Sequence, residues 1–140
     1  MSRKFKLIAL SFSFLLISVI LISSKGLSSS NPVEDARQSI TLLKSALETK
    51  DVEEMIKYST DIRFKDDIQR RKELSTIISQ DSASISIIKI GRLHAVDDNL
   101  VMAQITFRDN GKNFDLTLPV YKKDGQWKLV IGVSVQHQVE

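Results

Sequence analysis

The sequence predicts an α+β domain behind an N-terminal transmembrane or signal helix. Two or three helices should pack on one face of a four-stranded antiparallel meander sheet. Three observations carry this. An uncharged apolar run occupies residues 7–22. Apolar residues then recur at steps of three and four through the next part of the chain. From Ala83 onward the period changes to two, with Asp-Gly and Asn-Gly turns between the runs.

Composition sets the frame. The 140 residues are 42% hydrophobic and 26% charged, which is room for one domain and excludes wholesale disorder. The chain has no cysteine. That removes disulfides, thiolate metal sites, a cysteine nucleophile and a lipidated N-terminal cysteine. The balance of 20 basic against 17 acidic residues is +3. Four of the basic residues, Arg3, Lys4, Lys6 and Lys25, fall in the first 26 positions, and no acid precedes Glu34. The remainder holds 16 basic and 17 acidic residues, a balance of −1. A body so nearly neutral has no global field to draw it onto phosphates, so no nucleic-acid partner is expected.

The run at 7–22, LIALSFSFLLISVILI, is broken only by serines. As a helix its 16 residues span about 24 Å, marginal for a hydrocarbon core of about 30 Å. Arg3, Lys4 and Lys6 precede it and Lys25 follows, which puts the N-terminus in the cytoplasm and the body across the membrane. Two readings remain open: a cleaved secretory signal and a retained single-pass anchor. Ser24-Lys25-Gly26 and Ser28-Ser29-Ser30 are poor cleavage sites, and with the run's length they favour the anchor. The expected organisation is a leader at 1–24, a polar Gly/Ser linker at 25–31 and a domain at 32–137.

The first helix opens with Asn31 as cap, Pro32 in the first turn and Glu34 three after the cap. Val33, Ala36, Ile40, Leu43 and Leu47 make its apolar stripe. Asp51 and Glu54 open a second short helix after a sharp corner, with Met55, Ile56 and Tyr58 inward. A third helix starts at Asp66 or Asp67, with a weak apolar face of Ile68, Leu74, Ile77 and Ile78. Arg70, Arg71 and Lys72 are consecutive, so this helix turns them to different sides; the expectation is a solvated face offset by Asp66, Asp67 and Glu73, and the alternative is an anion or anionic-lipid patch.

Strand one begins after Ala83 and reaches Val96, its phase shifted at Ile87-Ile88 by a bulge. Asp97-Asp98-Asn99 is a turn. Strand two, 100–108, points Val101, Ala103, Ile105 and Phe107 one way. Asn110-Gly111 is a hairpin, and strand three, 113–122, points Phe114, Leu116, Leu118 and Val120 inward. Asp124-Gly125 turns into strand four, 126–136, with Trp127, Leu129, Ile131, Val133 and Val135 alternating. Pro119 cannot donate to a ladder, so its strand is an edge or breaks there.

This order, with VEDARQSITLLKSALETKDVEEMIKYS as the first helices and YKKDGQWKLV at the end, resembles the nuclear-transport-factor-two-like superfamily, also called ketosteroid-isomerase-like or cystatin-like. Within it the likeness is to small exported bacterial domains of unknown function, often lipoproteins, in which a tryptophan follows an Asp-Gly turn, here Asp124, Gly125 and Trp127. The resemblance implies a cone of helices and curved sheet with a pocket at its wide end. Its members include enzymes, small-molecule binders and protein-contact modules, so the fold does not assign a function. No catalytic residue of the enzymatic members matches a position here, and the lipid anchor does not carry over.

Chemistry-bearing motifs are sparse. His94 and His137 stand alone, without metal spacing. Asp97-Asp98-Asn99 lacks the spacing of a calcium loop, and no nucleophile elbow, phosphate loop or dinucleotide fingerprint occurs. Asp115 alternates with Phe114 and Leu116, so it faces away from the core. No catalytic, cofactor-binding or metal-binding residue is assigned, and no cofactor is expected. Tyr58 and Trp127 are the ligand-pocket candidates, with Trp127 also a natural core residue under the first helix.

The expected function is a non-enzymatic, membrane-anchored extracytoplasmic domain. It would bind a protein partner or a small apolar ligand and contact the membrane through residues 7–22. Two alternatives stay open: a small isomerase-like acid–base enzyme in the cone pocket, and a secreted envelope assembly factor forming a homodimer through its sheet.

Overall fold

The computed structural model describes residues 31–80 and 85–133. The chain divides between Ser30 and Asn31, so the predicted leader lies outside the described residues. Among the described residues, no helix is long and apolar enough to cross a membrane.

Helix α1 (Pro32–Thr49) starts where the capping residues place it. Asn31 Oδ1 accepts from the Val33 amide at 3.1 Å, one residue short of the Glu34 amide that a capping box would use. Of the predicted stripe, Ala36, Ile40 and Leu43 are buried and Val33 and Leu47 are half-buried. Ser39 and Ala46 complete the buried face. Ser39 Oγ donates to the Trp127 carbonyl at 2.6 Å and so ties the helix to the last strand. The sharp corner is made by Lys50, which adopts a left-handed φ of 58°. Asp51 then caps α2 (Val52–Tyr58) by accepting from the Glu54 amide at 3.1 Å.

The chain continues through β1 (Ser59–Asp61), α3 (Asp67–Ser79), β2 (Ser86–Asp97), β3 (Leu100–Asp109), β4 (Lys112–Lys123) and β5 (Gln126–Ile131). The strands form one sheet in the order β1-β5-β4-β3-β2. This corrects the expected four-stranded antiparallel meander: the sheet has five strands and is mixed. β1 lies parallel to β5, with Ser59 opposite Leu129 and Asp61 opposite Ile131. Three polar residues between two helices offer no period to read, which is why β1 escapes a sequence analysis. The meander itself follows the predicted order. Two of its three hairpins turn on Asn110-Gly111 and Asp124-Gly125, all four at positive φ.

The bulge expected at the double isoleucine is present. The β2–β3 register shifts between Ile87 and Lys89, burying Ile87 and leaving Ile88 exposed. The core lies between α1 and the inner sheet face, where Val101, Ala103, Ile105, Leu118, Val120, Trp127 and Leu129 are all buried. Phe114, predicted inward, is exposed near the β3–β4 turn and stacks on Phe107 at a centroid distance of 5.7 Å. Pro119 sits in a strand flanked on both sides, but at a break. β4 pairs with β5 only over residues 120–123, so Pro119 begins the stretch with no β5 neighbour. β5 ends at Ile131, earlier than the predicted Gln136. Gly132 leaves the ladder at a φ of +87°, Val133 is outside the strand, and Val135 and Gln136 lie outside the described residues.

Candidate functional site

Helix α3 creates the site by standing off from the core. Its predicted apolar face is thin: Ile68 is 76% exposed and Ile77 is exposed, while Leu74 and Ile78 are half-buried against the core cluster. Its main packing partner among the described elements is α2. Two arginines hold it instead of an apolar stripe. The Arg70 guanidinium donates to the Ser59 carbonyl at 2.6 Å and to Ser59 Oγ. Arg71 donates to both carboxylate oxygens of Glu53 on α2, at 2.6 and 2.9 Å. At the start of the helix, Asp66 Oδ1 accepts from the Gln69 amide at 2.8 Å.

Between α3 and the core lies a cleft of about 210 Å³. Leu43 and Leu47 of α1, Met55 of α2, Leu74 and Ile78 of α3 and Phe107 of β3 give it an apolar lining. Its polar wall is Ser59, Asp61, Arg63 and Arg70. Asp61 is buried, and the Arg63 guanidinium grips it with Nε at 2.9 Å and Nη2 at 2.6 Å. The Arg63 amide adds a bond to Oδ1 at 3.1 Å. These hydrogen bonds, chiefly the side-chain pair, hold the Asp61 carboxyl below its ordinary pKa against the cost of burial, and the Arg70 charge helps. Arg63 is raised by the same pair. Arg70 is only 4% exposed, and burial pulls its guanidinium below the ordinary value while Asp61 and Asp67 offset the loss. Gly132 closes over this corner. A Cβ there would lie 3.0 Å from both Asp61 Oδ1 and Arg63 Cγ.

The sequence-predicted candidates fall elsewhere. Tyr58 and Trp127 are brought together, both buried, in a shallow depression of about 250 Å³ with Asp35 and Ser39 of α1 and Lys122 and Gly125 of the last hairpin. Lys122 Nζ lies 5.9 Å from the Trp127 ring centroid. Trp127 Nε1 is buried with no hydrogen-bond partner among the described residues. Neither aromatic lines the cleft under α3. His94 is exposed on β2, and His137 lies outside the described residues. Asp97-Asp98-Asn99 is a turn, with the Asn99 amide donating to Asp97 Oδ1 at 2.7 Å. Asp115 faces outward and accepts from Thr106 Oγ1 at 2.6 Å across the ladder. Among the described residues no group of side chains has the make-up of a metal site.

What sequence reasoning missed is the Ser59–Asp61–Arg63–Arg70 cluster. On sequence alone the basic run is expected to be a solvated face, with an anion patch as the alternative. Its members do turn to different sides, Arg71 to Glu53 and Lys72 to solvent, but Arg70 turns inward. The available signal was spacing: with a start at Asp67, Arg70 and Leu74 lie four apart on one helical face, so one arginine had to share the side of the inward leucine.

No family model matches this chain, and no curated protein matches it. Among solved structures it is similar to a de novo designed protein with a curved β-sheet, at 18% identity over 67% of this chain and 92% of that one, with a TM-score of 0.45. A score of that size does not establish a common fold.

Proposed function

We propose that the domain is a non-catalytic binding module that takes a small, largely apolar ligand in the cleft under α3. Residues 7–22 would hold it on the outer side of a membrane, and its place would be among the exported domains of the nuclear-transport-factor-two-like superfamily. The observation that carries the binding reading is the apolar cleft itself, walled by a helix that packs chiefly on α2. Two features support export: the uncharged run of residues 7–22 and the basic flank ahead of it.

The acid–base alternative needs an inward carboxylate that exchanges a proton near neutral pH. Asp61 is the buried carboxylate of the cleft, and Arg63 pulls it the other way, toward permanent ionisation. That favours a structural and electrostatic role over proton transfer.

Native mass spectrometry of the full-length protein, gently extracted from its host membrane, tests the proposal. An intact chain carrying the added mass of a small molecule is the expected result. A bare chain beginning near residue 27 or 31 would remove the anchor and count against a tightly held ligand.

A further inference from the structure

Arg70 is a buried cation without a counter-ion of its own. Among the described residues its acceptors are both on Ser59, a carbonyl and a hydroxyl, and both are neutral. Two of its five N–H groups are used in this way, and the rest have no protein acceptor among the described residues. Asp61, the carboxylate that favours its charge most, makes its side-chain hydrogen bonds to Arg63 instead. Asp61 and Glu73 are the acidic residues of the lining, and Arg63 stands beside Arg70 on its polar wall. A largely buried charge that is met only by neutral acceptors favours an anion that can reach its remaining donors. Here the unmatched donors belong to a residue that lines an apolar cavity.

The geometry points to an anionic amphiphile as the ligand: a molecule with one carboxylate or phosphate head set against Arg70 and a short aliphatic tail lying along Leu47, Leu74 and Ile78. This rests on the binding reading above and adds the ligand class to it. Arginine suits the head, because its planar fork bonds a carboxylate or phosphate through two parallel N–H groups. The apolar walls suit the tail, and the cleft's small volume favours a short one. Asp61 then has a definite part. By engaging Arg63 it keeps that guanidinium in place and leaves Arg70 as the cation open to the ligand.

The test uses the full chain in lipid nanodiscs, with empty nanodiscs subtracting partition into lipid. Calorimetric titrations compare octanoate, octyl phosphate, octanol and acetate. The expected result is that octanoate or octyl phosphate binds about tenfold or more tightly than octanol, the scale of one charge-assisted hydrogen bond, while acetate binds far more weakly. Which head binds better separates a carboxylate source from a phosphate one. The preference should disappear in Arg70→Gln and partly return in Arg70→Lys, and Ile78→Trp should block the charged and neutral tails alike. Should Arg70→Gln fail to fold, as circular dichroism would report, the 15N-arginine spectrum of the native chain serves instead. The Arg70 Nε–H resonance should move with octanoate and stay put with octanol.

Equal binding of octanoate and octanol, blocked by Ile78→Trp, would overturn the anionic head and leave the apolar cleft standing. An unmoved Arg70 resonance under saturating octanoate would overturn it equally. No binding of any tail beyond empty nanodiscs would overturn the cleft reading itself.

Discussion

Arg70 joins α3 to the rest of the domain through one serine, and the physics of that link is measurable. Charged hydrogen bonds to buried acceptors contribute about 1.5–3 kcal/mol each, and removing the donor strands the Ser59 carbonyl as well. Arg70→Ala should therefore lower unfolding stability by about 2–4 kcal/mol in urea titration. Ser59→Ala, which leaves the carbonyl bond intact, should cost about 1 kcal/mol. Gly132 makes a second residue-scale prediction. Its φ of +87° and the 3.0 Å approach to Asp61 Oδ1 leave no room for a methyl group. Gly132→Ala should cost about 1–3 kcal/mol and loosen the Asp61–Arg63 pair. Asp61 makes a third. Its folded pKa is lowered, so the stability it contributes is complete above the unfolded value of about 3.9 and fades as pH falls through that value toward the folded one. Asp61→Asn should be less stable at neutral pH and should lose less stability on acidification below about pH 4. A pH series of chemical denaturation reads both.

Elements were legible where burial imposes a period. The α1 stripe, the alternation of Val101, Ala103, Ile105 and Phe107 and both hairpin turns all arise from local rules, and the structure has them. β1 and the placement of α3 arise from tertiary contacts. A three-residue strand pairs with a partner about seventy positions away, and α3 docks by guanidinium groups that look on paper like a solvated basic run. The cleft was hidden for the same reason: it is the gap left by a helix with little to bury. Ile68 illustrates this. Its apolar side chain predicts an inward position, yet it sits in the first turn at 76% exposure. The element-scale prediction follows from that thin packing. Backbone amides of Asp67–Ser79 should exchange with solvent faster than those of Pro32–Thr49, because opening α3 exposes little apolar surface. Arg71→Gln, which frees Glu53, should widen the gap while leaving exchange in α1 unchanged. Equal protection of the two helices would show that α3 opens only with the whole domain.

At the scale of the molecule, the sheet is anchored firmly on one side and lightly on the other. β5 is held by β4, by β1 and by the bond from Ser39 to the Trp127 carbonyl. Residues 112–119 of β4 have β3 on one flank and no strand on the other among the described residues. That flank carries Lys112, Asp115 and Pro119, the kinds of residue that discourage a second chain from adding a strand. Charge also divides the sequence unevenly: residues 1–26 carry four basic residues and no acid, and the remainder is nearly neutral.

The position of β5 also has a consequence in time. Among the described residues it is the last strand in sequence, yet it lies between β4 and β1, the first. A nascent chain that has released its helices and first hairpin still lacks the piece that joins the two ends of the sheet and supplies Trp127 and Leu129 to the core. Closing the sheet therefore waits until residues 126–131 have been made. A chain stopped after Lys123 should be digested by protease as readily as an unfolded one, whereas a chain extended past Ile131 should resist. Until then residues 59–61 have no strand to lie against, so the earliest strand of the sheet is the last to be fixed in place.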